Sequence, residues 1–307
     1  YARAQCLVGS EMCIRDRSDT PLPHAELIRR AEGAEVLLCC PGDLLDATAV
    51  AALPTGLKVI ATFSFDHDHI DLAACHTCGI VVLNTPRVLS EATAELAMLL
   101  ILAASRRAGE GERLVRAGAW SGWSPAALLG TQVGGKRLGI FGMGRVGHAL
   151  ARMARGFGME IHYRDIARLA PADEAGAIWH EDDASFLAAA QVLSLHAPGG
   201  EPTRKWLNAA RLAGLPQGAI VVNAARGTLI DDEALIDALR TGRVAAAGLD
   251  TYDGEPALHP GYRALENVVL LPHLGSATVE TRDAMGHLLL DGIAAVLSGG
   301  SPENRVP

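Results

Sequence analysis

The sequence predicts an α/β protein built from two doubly wound parallel-sheet domains. Short apolar strand patterns alternate with helix patterns along most of the chain, which is typical of βαβ units and a parallel sheet. The length of 307 residues suggests about two domains, since a domain has roughly 100–200 residues. Hydrophobic residues make up 49% of the chain and 33 residues are glycine, which suits a large core and many tight turns.

The first part of the chain alternates short helices with short strands. Helices are predicted at residues 24–31 and 46–53, and apolar strands at residues 35–40, 57–62 and 80–83. A long helix follows at residues 90–108, where Ser90 can cap the helix and Glu91 and Glu95 favour its early turns. This helix is long enough to carry the chain from one domain to the next.

An irregular arm that contains Trp120 and Trp123 precedes a second alternating series. Strands are predicted at residues 138–141, 160–163, 192–195, 220–223, 246–249 and 268–271, with helices between most of them. A last helix, residues 277–297, could return the chain to the first domain. The first 17 residues lack this periodicity, so we predict a non-native leader there, with a divergent first strand near residues 5–9 as the alternative.

Charge and cysteine content exclude several classes of protein. The 35 acidic and 27 basic side chains give a net charge of −8, whereas a nucleic-acid binder is normally basic. No run reaches the ~18 apolar residues of a membrane helix, so no membrane partner is expected. The six cysteines are too few for a disulfide framework in this length, which favours the cytoplasm. Cys75 and Cys78 have no second ligand pair, so no metal site is predicted.

A glycine-rich turn predicts a dinucleotide site. Gly142, Gly144 and Gly147 have the spacing G-x-G-x-x-G between an apolar strand and a helix pattern. The first two glycines permit a tight turn and close approach of a pyrophosphate, and the third lets the helix pack against the strand. Backbone N–H groups and the positive end of the helix dipole would then meet the pyrophosphate.

Asp165 follows the next strand and is predicted to accept hydrogen bonds from the adenosine ribose. Its carboxylate would repel a 2′-phosphate, which favours NAD. Arg164 and Arg168 flank it, however, and arginines in this loop could pair with a 2′-phosphate. NADP therefore stays open as the alternative.

Three further segments place charged side chains directly after apolar strands. Arg226 follows the first of these strands, Asp250 and Glu255 follow the second, and His273 follows the third. Residues beyond the carboxyl ends of parallel strands face the ligand crevice. One arginine, one carboxylate and one histidine could therefore converge there.

With these motifs the chain resembles the D-isomer-specific 2-hydroxyacid dehydrogenase family, from about residue 22 to the end. The nucleotide turn, residues 186–208, the arginine segment and the histidine segment fit the family in order. The chain is most similar to the glyoxylate/hydroxypyruvate reductase branch, on residues 90–95, the Trp120/Trp123 arm and residues 272–276. The resemblance implies a Rossmann cofactor domain, residues 91–275, inserted into a flavodoxin-like substrate domain made of residues 18–90 and 276–307, with residues 1–17 as the leader.

The resemblance also implies a reaction. A small 2-oxo acid of the glyoxylate or hydroxypyruvate type would be reduced to the D-2-hydroxy acid by hydride transfer from NAD(P). His273 would be the general acid, and the base in the reverse direction, with Glu255 orienting its ring. Arg226 would hold the 2-oxo acid and polarise its carbonyl.

Other positions carry family roles by the same resemblance. Arg145 and Val146 would line the pyrophosphate, and Asp250 would orient the nicotinamide carboxamide. Further cofactor contacts are expected from Ala197, Thr203, Ala224, Ala225, His273 and Gly275. A homodimer is expected from the apolar arm. Trp123 either packs there or reaches the substrate site of a partner subunit.

The expected substrate loop departs from the family pattern. Asp66 stands in the run Ser64–Ile70 where glycine is expected, and glycine permits backbone angles that other residues avoid. An aspartate adds bulk and negative charge beside an anionic substrate, so binding would weaken if the carboxylate points inward and change little if it points away. Phe65 would narrow the pocket.

Two alternative functions are considered. Asp66 motivates a second hypothesis, a cofactor-sensing regulatory or interaction protein. Formate oxidation is disfavoured, because Glu255 stands where relatives with that activity have an amide.

Overall fold

The computed structural model describes residues 22–307, together with the backbone of two short strands before them. The predicted leader, residues 1–17, otherwise lies outside the described residues. The strands are β1 (Gln5–Val8), β2 (Cys13–Asp16), β3 (Val36–Cys39), β4 (Val59–Thr62), β5 (Val81–Leu83), β6 (Arg137–Phe141), β7 (Glu160–Arg164), β8 (Ile178–Trp179), β9 (Val192–Leu195), β10 (Ala219–Asn223), β11 (Val244–Leu249) and β12 (Val268–Leu270). The α-helices are α1 (His24–Ala31), α2 (Ala47–Ala51), α3 (Leu72–Thr77), α4 (Ser90–Ser105), α5 (Ala108–Arg116), α6 (Arg145–Gly156), α7 (Pro171–Glu174), α8 (Asp183–Ala189), α9 (Ala209–Gly214), α10 (Asp232–Arg240) and α11 (Val279–Leu297).

The chain divides into two compact units. The first comprises Tyr1–Leu89 and Ala277–Pro307, and the second comprises Ser90–Ser276. The first unit contains a parallel sheet in the order β3-β4-β5, and β1 and β2 pair antiparallel. The central strand β4 is buried along its whole length, as expected for a parallel strand covered on both faces. Asp46 and Asp71 cap α2 and α3 by accepting backbone N–H groups, which fixes where these short helices begin.

The second unit contains a seven-stranded parallel sheet in the order β12-β11-β10-β9-β6-β7-β8. The chain starts in the middle with β6, runs outward through β7 and β8, and then crosses back to β9 on the other side of β6. The strand order therefore reverses between β6 and β9, where ligands bind beyond the carboxyl ends of a doubly wound sheet. The predicted parallel α/β fold is confirmed.

The predicted long helix at residues 90–108 is wrong in one respect. The helix α4 ends at Ser105, Arg107 takes a left-handed φ of 52°, and a separate helix α5 begins at Ala108. The Ser105 carbonyl accepts the N–H of Thr131 at 2.7 Å, so the returning chain occupies the place of a further helical turn. The helix α4 is largely buried whereas no residue of α5 is buried, so only the former belongs to the core.

In the described part of the chain, no helix combines the length and apolar character needed to cross a membrane.

Candidate active site

The glycine turn follows β6, and its three glycines have different structural roles. Gly142 has a φ of 96°, and a Cβ there would lie 2.5 Å from the backbone nitrogen of Ala197. A Cβ on Gly147 would lie 2.4 Å from the Gly142 carbonyl oxygen. Gly144 is exposed, with nothing within 4 Å of an added Cβ. The outer two glycines thus let the turn pack, while the middle one leaves an open backbone surface at the N-terminus of α6 that a pyrophosphate can approach.

Asp165 connects this turn to the end of β7. Its Oδ2 accepts the N–H of Met143 at 2.6 Å and its Oδ1 accepts the N–H of Ile166 at 2.7 Å. A carboxylate has about four lone-pair sites, so acceptor capacity is left for the hydroxyls of a ribose. Asp165 therefore fixes the turn as well as presenting a carboxylate beside it.

The other predicted cofactor contacts lie at the same edge of the sheet. Ala197 follows β9 and is buried, and Ala224 and Ala225 follow β10. The Thr203 hydroxyl donates to the Pro198 carbonyl oxygen at 2.7 Å, which closes the loop after β9. In the first turn of α6, Arg145 is exposed and Val146 is half-buried.

Arg226 is positioned by a buried amide. Asn223, the last residue of β10, donates through Nδ2 to the Arg226 carbonyl oxygen at 2.8 Å and accepts the N–H of Ala225 at 3.0 Å. Burial lowers the pKa of the Arg226 guanidinium, while Glu255 acts in the opposite direction. The pKa of arginine is so high that the side chain stays a cation.

Gly227 brings the Arg226 loop against the loop that follows β11. A Cβ on Gly227 would lie 1.8 Å from the carbonyl carbon of Tyr252 and 2.1 Å from the nitrogen of Asp253. No side chain fits in this contact. The arginine and the carboxylate of Glu255 are therefore carried by loops in direct backbone contact.

Glu255 and His273 form the central pair of the site. The His273 Nδ1 lies 2.7 Å from the Glu255 Oε2, and the Glu255 Oε1 accepts the N–H of Tyr252 at 2.8 Å. Burial opposes ionisation of Glu255, but His273, the Tyr252 N–H and Arg226 outweigh it and hold its pKa below the usual value. An ionised carboxylate only accepts, so Nδ1 carries the proton of this hydrogen bond. The half-exposed ring then has Nε2 as the nitrogen that can exchange a proton with a ligand.

Asp250 holds the turn that presents His273. His273 has a left-handed φ of 55°, and its N–H donates to the Asp250 carbonyl oxygen at 3.0 Å. The Asp250 Oδ1 accepts the N–H of Leu274 at 2.7 Å and Oδ2 accepts that of Gly275 at 2.9 Å. Burial raises the pKa of this carboxyl, opposed by the two N–H groups and His273. Asp250 thus has a positioning role that the sequence did not indicate.

Sequence reasoning missed three supporting residues: Asn223, Gly227 and Tyr252. The Tyr252 hydroxyl lies 2.7 Å from the Leu271 carbonyl oxygen and 3.1 Å from that of Leu249, so it links the segments that lead to His273 and Asp250. Two signals in the sequence could have found the first two: Asn223 is a polar residue at the end of a buried apolar strand, and Gly227 directly follows the candidate Arg226.

Phe65 and Asp66 lie in the other unit, in the loop after β4. Asn84 donates through Nδ2 to the Phe65 carbonyl oxygen at 2.6 Å, and the Asp66 N–H donates to the Ser64 Oγ at 3.1 Å. Asp66 is not among the described residues with positive φ, so the backbone here does not require glycine. Relative to glycine, Asp66 therefore adds bulk and charge to this loop without a left-handed backbone conformation.

The structure brings Arg226, Asp250, Glu255 and His273 to one edge of the second unit. Trp123 lies on the arm of the same unit and is 84% exposed. Across the described residues, no group of three or more His, Cys, Asp or Glu side chains could hold a metal ion.

Comparisons with known proteins agree with this geometry. Residues 98–275 match the family model of the D-isomer specific 2-hydroxyacid dehydrogenase, NAD binding domain. The chain is similar to the glycerate dehydrogenase of Hyphomicrobium methylovorum, at 44% identity over 92% of this chain and 88% of that protein. It is similar to the glyoxylate reductase of Thermococcus litoralis, at 38% identity over 92% and 87%. Among solved structures it resembles the NADPH-dependent glyoxylate/hydroxypyruvate reductase of Sinorhizobium meliloti in complex with NADP and malonate, with a TM-score of 0.83, 32% identity and coverage of 92% and 87%.

Proposed function

The chain belongs to the D-isomer-specific 2-hydroxyacid dehydrogenase family, and from that premise we propose that it reduces a small 2-oxo acid of the glyoxylate or hydroxypyruvate type. The family resemblance read from the sequence is confirmed, and the protein is an NAD(P)-dependent dehydrogenase. The observation that carries the proposal is the 2.7 Å contact between His273 and Glu255, with Arg226 on the adjoining loop. The regulatory alternative is not favoured by the named relatives.

The residues at the glycine turn fit a dinucleotide. The open face at Gly144, the N-terminus of α6 and the Asp165 carboxylate are the groups that would receive the pyrophosphate and the ribose. When bound, the nicotinamide supplies the hydride for reduction and accepts it in oxidation. We propose that the cofactor contacts also include Arg145, Val146, Ala197, Thr203, Ala224, Ala225, Asp250, His273 and Gly275.

Arg226 is the proposed anchor of the substrate. Its guanidinium is a permanent cation with paired N–H donors, which suits a 2-oxo acid whose carboxylate and carbonyl oxygens lie side by side. Partial burial removes competing water and strengthens this attraction. We assign Phe65 and Asp66 to substrate contact as well, where Asp66 would disfavour a second negative charge on the substrate.

His273 is the proposed proton donor. As the hydride reaches the carbonyl carbon, the proton on Nε2 passes to the carbonyl oxygen and the ring becomes neutral. The ionised Glu255 fixes the orientation of the ring through Nδ1 and so directs Nε2 to the ligand side. In the reverse direction the neutral Nε2 takes the hydroxyl proton.

We further propose a homodimer formed through the arm. Residues 115–127 are exposed throughout, and the arm leaves and rejoins the core at one point, since the Ser105 carbonyl accepts the N–H of Thr131. Val115, Trp120, Trp123 and Leu129 are 59–84% exposed. Large apolar side chains exposed in this way are typical of an interface, and we propose that a second copy of this chain covers them.

We also propose the cytoplasm as the location, since the described cysteines are all free thiols.

The proposed activity is tested by initial rates with glyoxylate, hydroxypyruvate and pyruvate, each with NADH and with NADPH. We expect loss of reduced-cofactor absorbance with glyoxylate and hydroxypyruvate, and the D isomer of glycerate from hydroxypyruvate. Tight cofactor binding without turnover of any 2-oxo acid would reject the proposal and would favour a cofactor-sensing regulatory protein instead.

A further inference from the structure

The loop after β7 carries the two arginines that could recognise a cofactor 2′-phosphate. Arg164 directly precedes Asp165, and Arg168 lies three residues beyond it, within an exposed stretch. A 2′-phosphate is bound in this fold by a cation close to the ribose-binding acid. Cofactor choice therefore depends on what already engages these two guanidinium groups.

Arg168 is engaged by a nearly buried carboxylate. Its Nε lies 2.8 Å from the Glu174 Oε1 and its Nη2 lies 3.1 Å from Oε2, which is a two-point arginine–carboxylate pair. Glu174 is only 8% exposed, and the Tyr163 hydroxyl donates to it at 2.8 Å. Arg168 and Tyr163 together lower the pKa of Glu174 and so keep it ionised.

The surroundings of this pair keep Arg168 in place. Its guanidinium lies 5.9 Å from the ring centroid of Trp179, on the edge strand β8. The Tyr163 oxygen also accepts the N–H of Leu169 at 3.0 Å, which fixes the chain next to Arg168. The Arg168 side chain is itself 58% exposed and that of Glu174 is 10% exposed, so removing Arg168 would leave a largely buried carboxylate with the Tyr163 hydroxyl as its remaining donor.

Arg164 is also occupied. Its Nη1 donates to the Asp165 carbonyl oxygen, and its buried Nε, which has no hydrogen-bond partner, forms an ion pair with the Asp183 Oδ1 at 3.4 Å. Its side chain is only 25% exposed. Both arginines beside Asp165 are thus committed to carboxylates or carbonyls of the protein.

We propose that Glu174 is a specificity-determining residue, which selects NAD over NADP by retaining Arg168 away from the adenosine 2′ position. The inference rests on the proposed function, because it concerns the cofactor of the same site. Asp165 repels the 2′-phosphate directly, while Glu174 removes the cation that could compensate for that repulsion. Glu174 acts through Arg168 and is a positioning residue.

The test is equilibrium binding of NAD and of NADP, measured by calorimetry, to the wild type and to Glu174→Gln. The amide keeps the shape and a hydrogen bond to Tyr163 but loses the charge that retains Arg168. We expect the ratio of NADP to NAD affinity to rise about tenfold, the typical worth of one charge-assisted hydrogen bond. The matched control is Glu181→Gln, an exposed glutamate of the same unit, for which the ratio stays at the wild-type value.

A double variant tests whether Arg168 causes the gain in NADP affinity. In Glu174→Gln with Arg168→Leu, the gain in NADP affinity disappears if the released guanidinium causes it. An unchanged ratio in folded Glu174→Gln, or a gain that persists in the double variant, would overturn the proposal. If thermal melting shows that Glu174→Gln does not fold, Glu174→Asp decides, because the shorter side chain cannot keep both contacts with Arg168 and should raise the ratio in the same direction.

Cofactor binding is measured without turnover, so the experiments can reject the proposed function and the role of Glu174 independently of each other. Normal NAD binding with no reduction of any 2-oxo acid would reject the proposed function alone. Reduction of 2-oxo acids together with an unchanged NADP to NAD ratio in every variant would reject the role of Glu174 alone.

Discussion

At the scale of single residues, the site depends on how each charged group is constrained. Glu255 uses one oxygen for the backbone of Tyr252 and the other for His273, so its position and ionisation serve the ring. Asp250 uses both oxygens to fix the turn after His273. Most of these hydrogen bonds come from the backbone, and the one between Glu255 and His273 joins two of the side chains that carry the chemistry.

Glu255→Gln tests the role of the carboxylate. An amide has one oxygen, so it can accept either from the Tyr252 N–H or from the His273 ring but not at both positions, and it carries no negative charge. We therefore expect kcat to fall about 10²–10³-fold with the KM for NADH little changed. Steady-state kinetics beside the exposed control Glu181→Gln measure this change in kcat.

The pH dependence of the wild type is a separate prediction. Because the pKa of Glu255 lies below its usual value of 4.5, the contact between the ionised Glu255 and His273 is lost only as pH falls through that lower value. The wild-type rate of reduction should therefore not decline between pH 7 and pH 5, and a decline there would contradict the assignment.

At the scale of elements, the loops after the strands of one sheet edge bring the site together. Residues after β6, β9, β10, β11 and β12 could be located from the sequence, because apolar runs mark the strands and the charged residues follow them directly. The supporting contacts could not be located from the sequence, because they join residues about 25 positions apart. Gly227 packs against Tyr252, and Asp250 accepts the Gly275 N–H. The break between α4 and α5 was missed for the same reason, because it depends on Thr131 returning to Ser105.

Gly227→Ala tests the contact between two of these loops. The added methyl would lie 1.8 Å from Tyr252, so the loops must separate and carry Arg226 away from Glu255. We expect kcat/KM to fall at least about 100-fold, with about 1–3 kcal/mol lost from the free energy of unfolding. Gly156→Ala is the control, because its Cβ would enter open space at the end of α6. Equal activity of the two variants in kinetic and denaturation measurements would show that the contact is dispensable.

At the scale of the whole molecule, each unit has its own sheet and core, and the arm belongs to neither core. The buried clusters of the second unit cover both faces of the seven-stranded sheet, while residues 115–127 contribute nothing to them. The net charge of −8 gives no general attraction for an anionic substrate, so local cations such as Arg226 matter more.

The arm predicts the oligomeric state. We expect sedimentation velocity to give a species of twice 32.2 kDa, and the double variant Trp120→Asp with Leu129→Asp to shift it towards the monomer, because buried carboxylates at an apolar interface are costly. Leu297→Asp, an exposed leucine outside the arm, should leave the dimer intact. A monomeric wild type at high protein concentration would contradict the prediction.

The central claim is that His273 delivers the proton, and a single-turnover measurement on His273→Asn tests it most directly. Asparagine tolerates the left-handed φ of 55° at this position, so the turn held by Asp250 should persist. Enzyme preloaded with NADH is mixed with glyoxylate and the loss of reduced cofactor is followed. The NADH concentration is kept saturating, so that loss of the proposed contact between His273 and the cofactor does not enter the rate, and we predict a rate about 10³-fold lower than that of the wild type. A rate within about tenfold of the wild type would contradict the account and move the proton donor to another group.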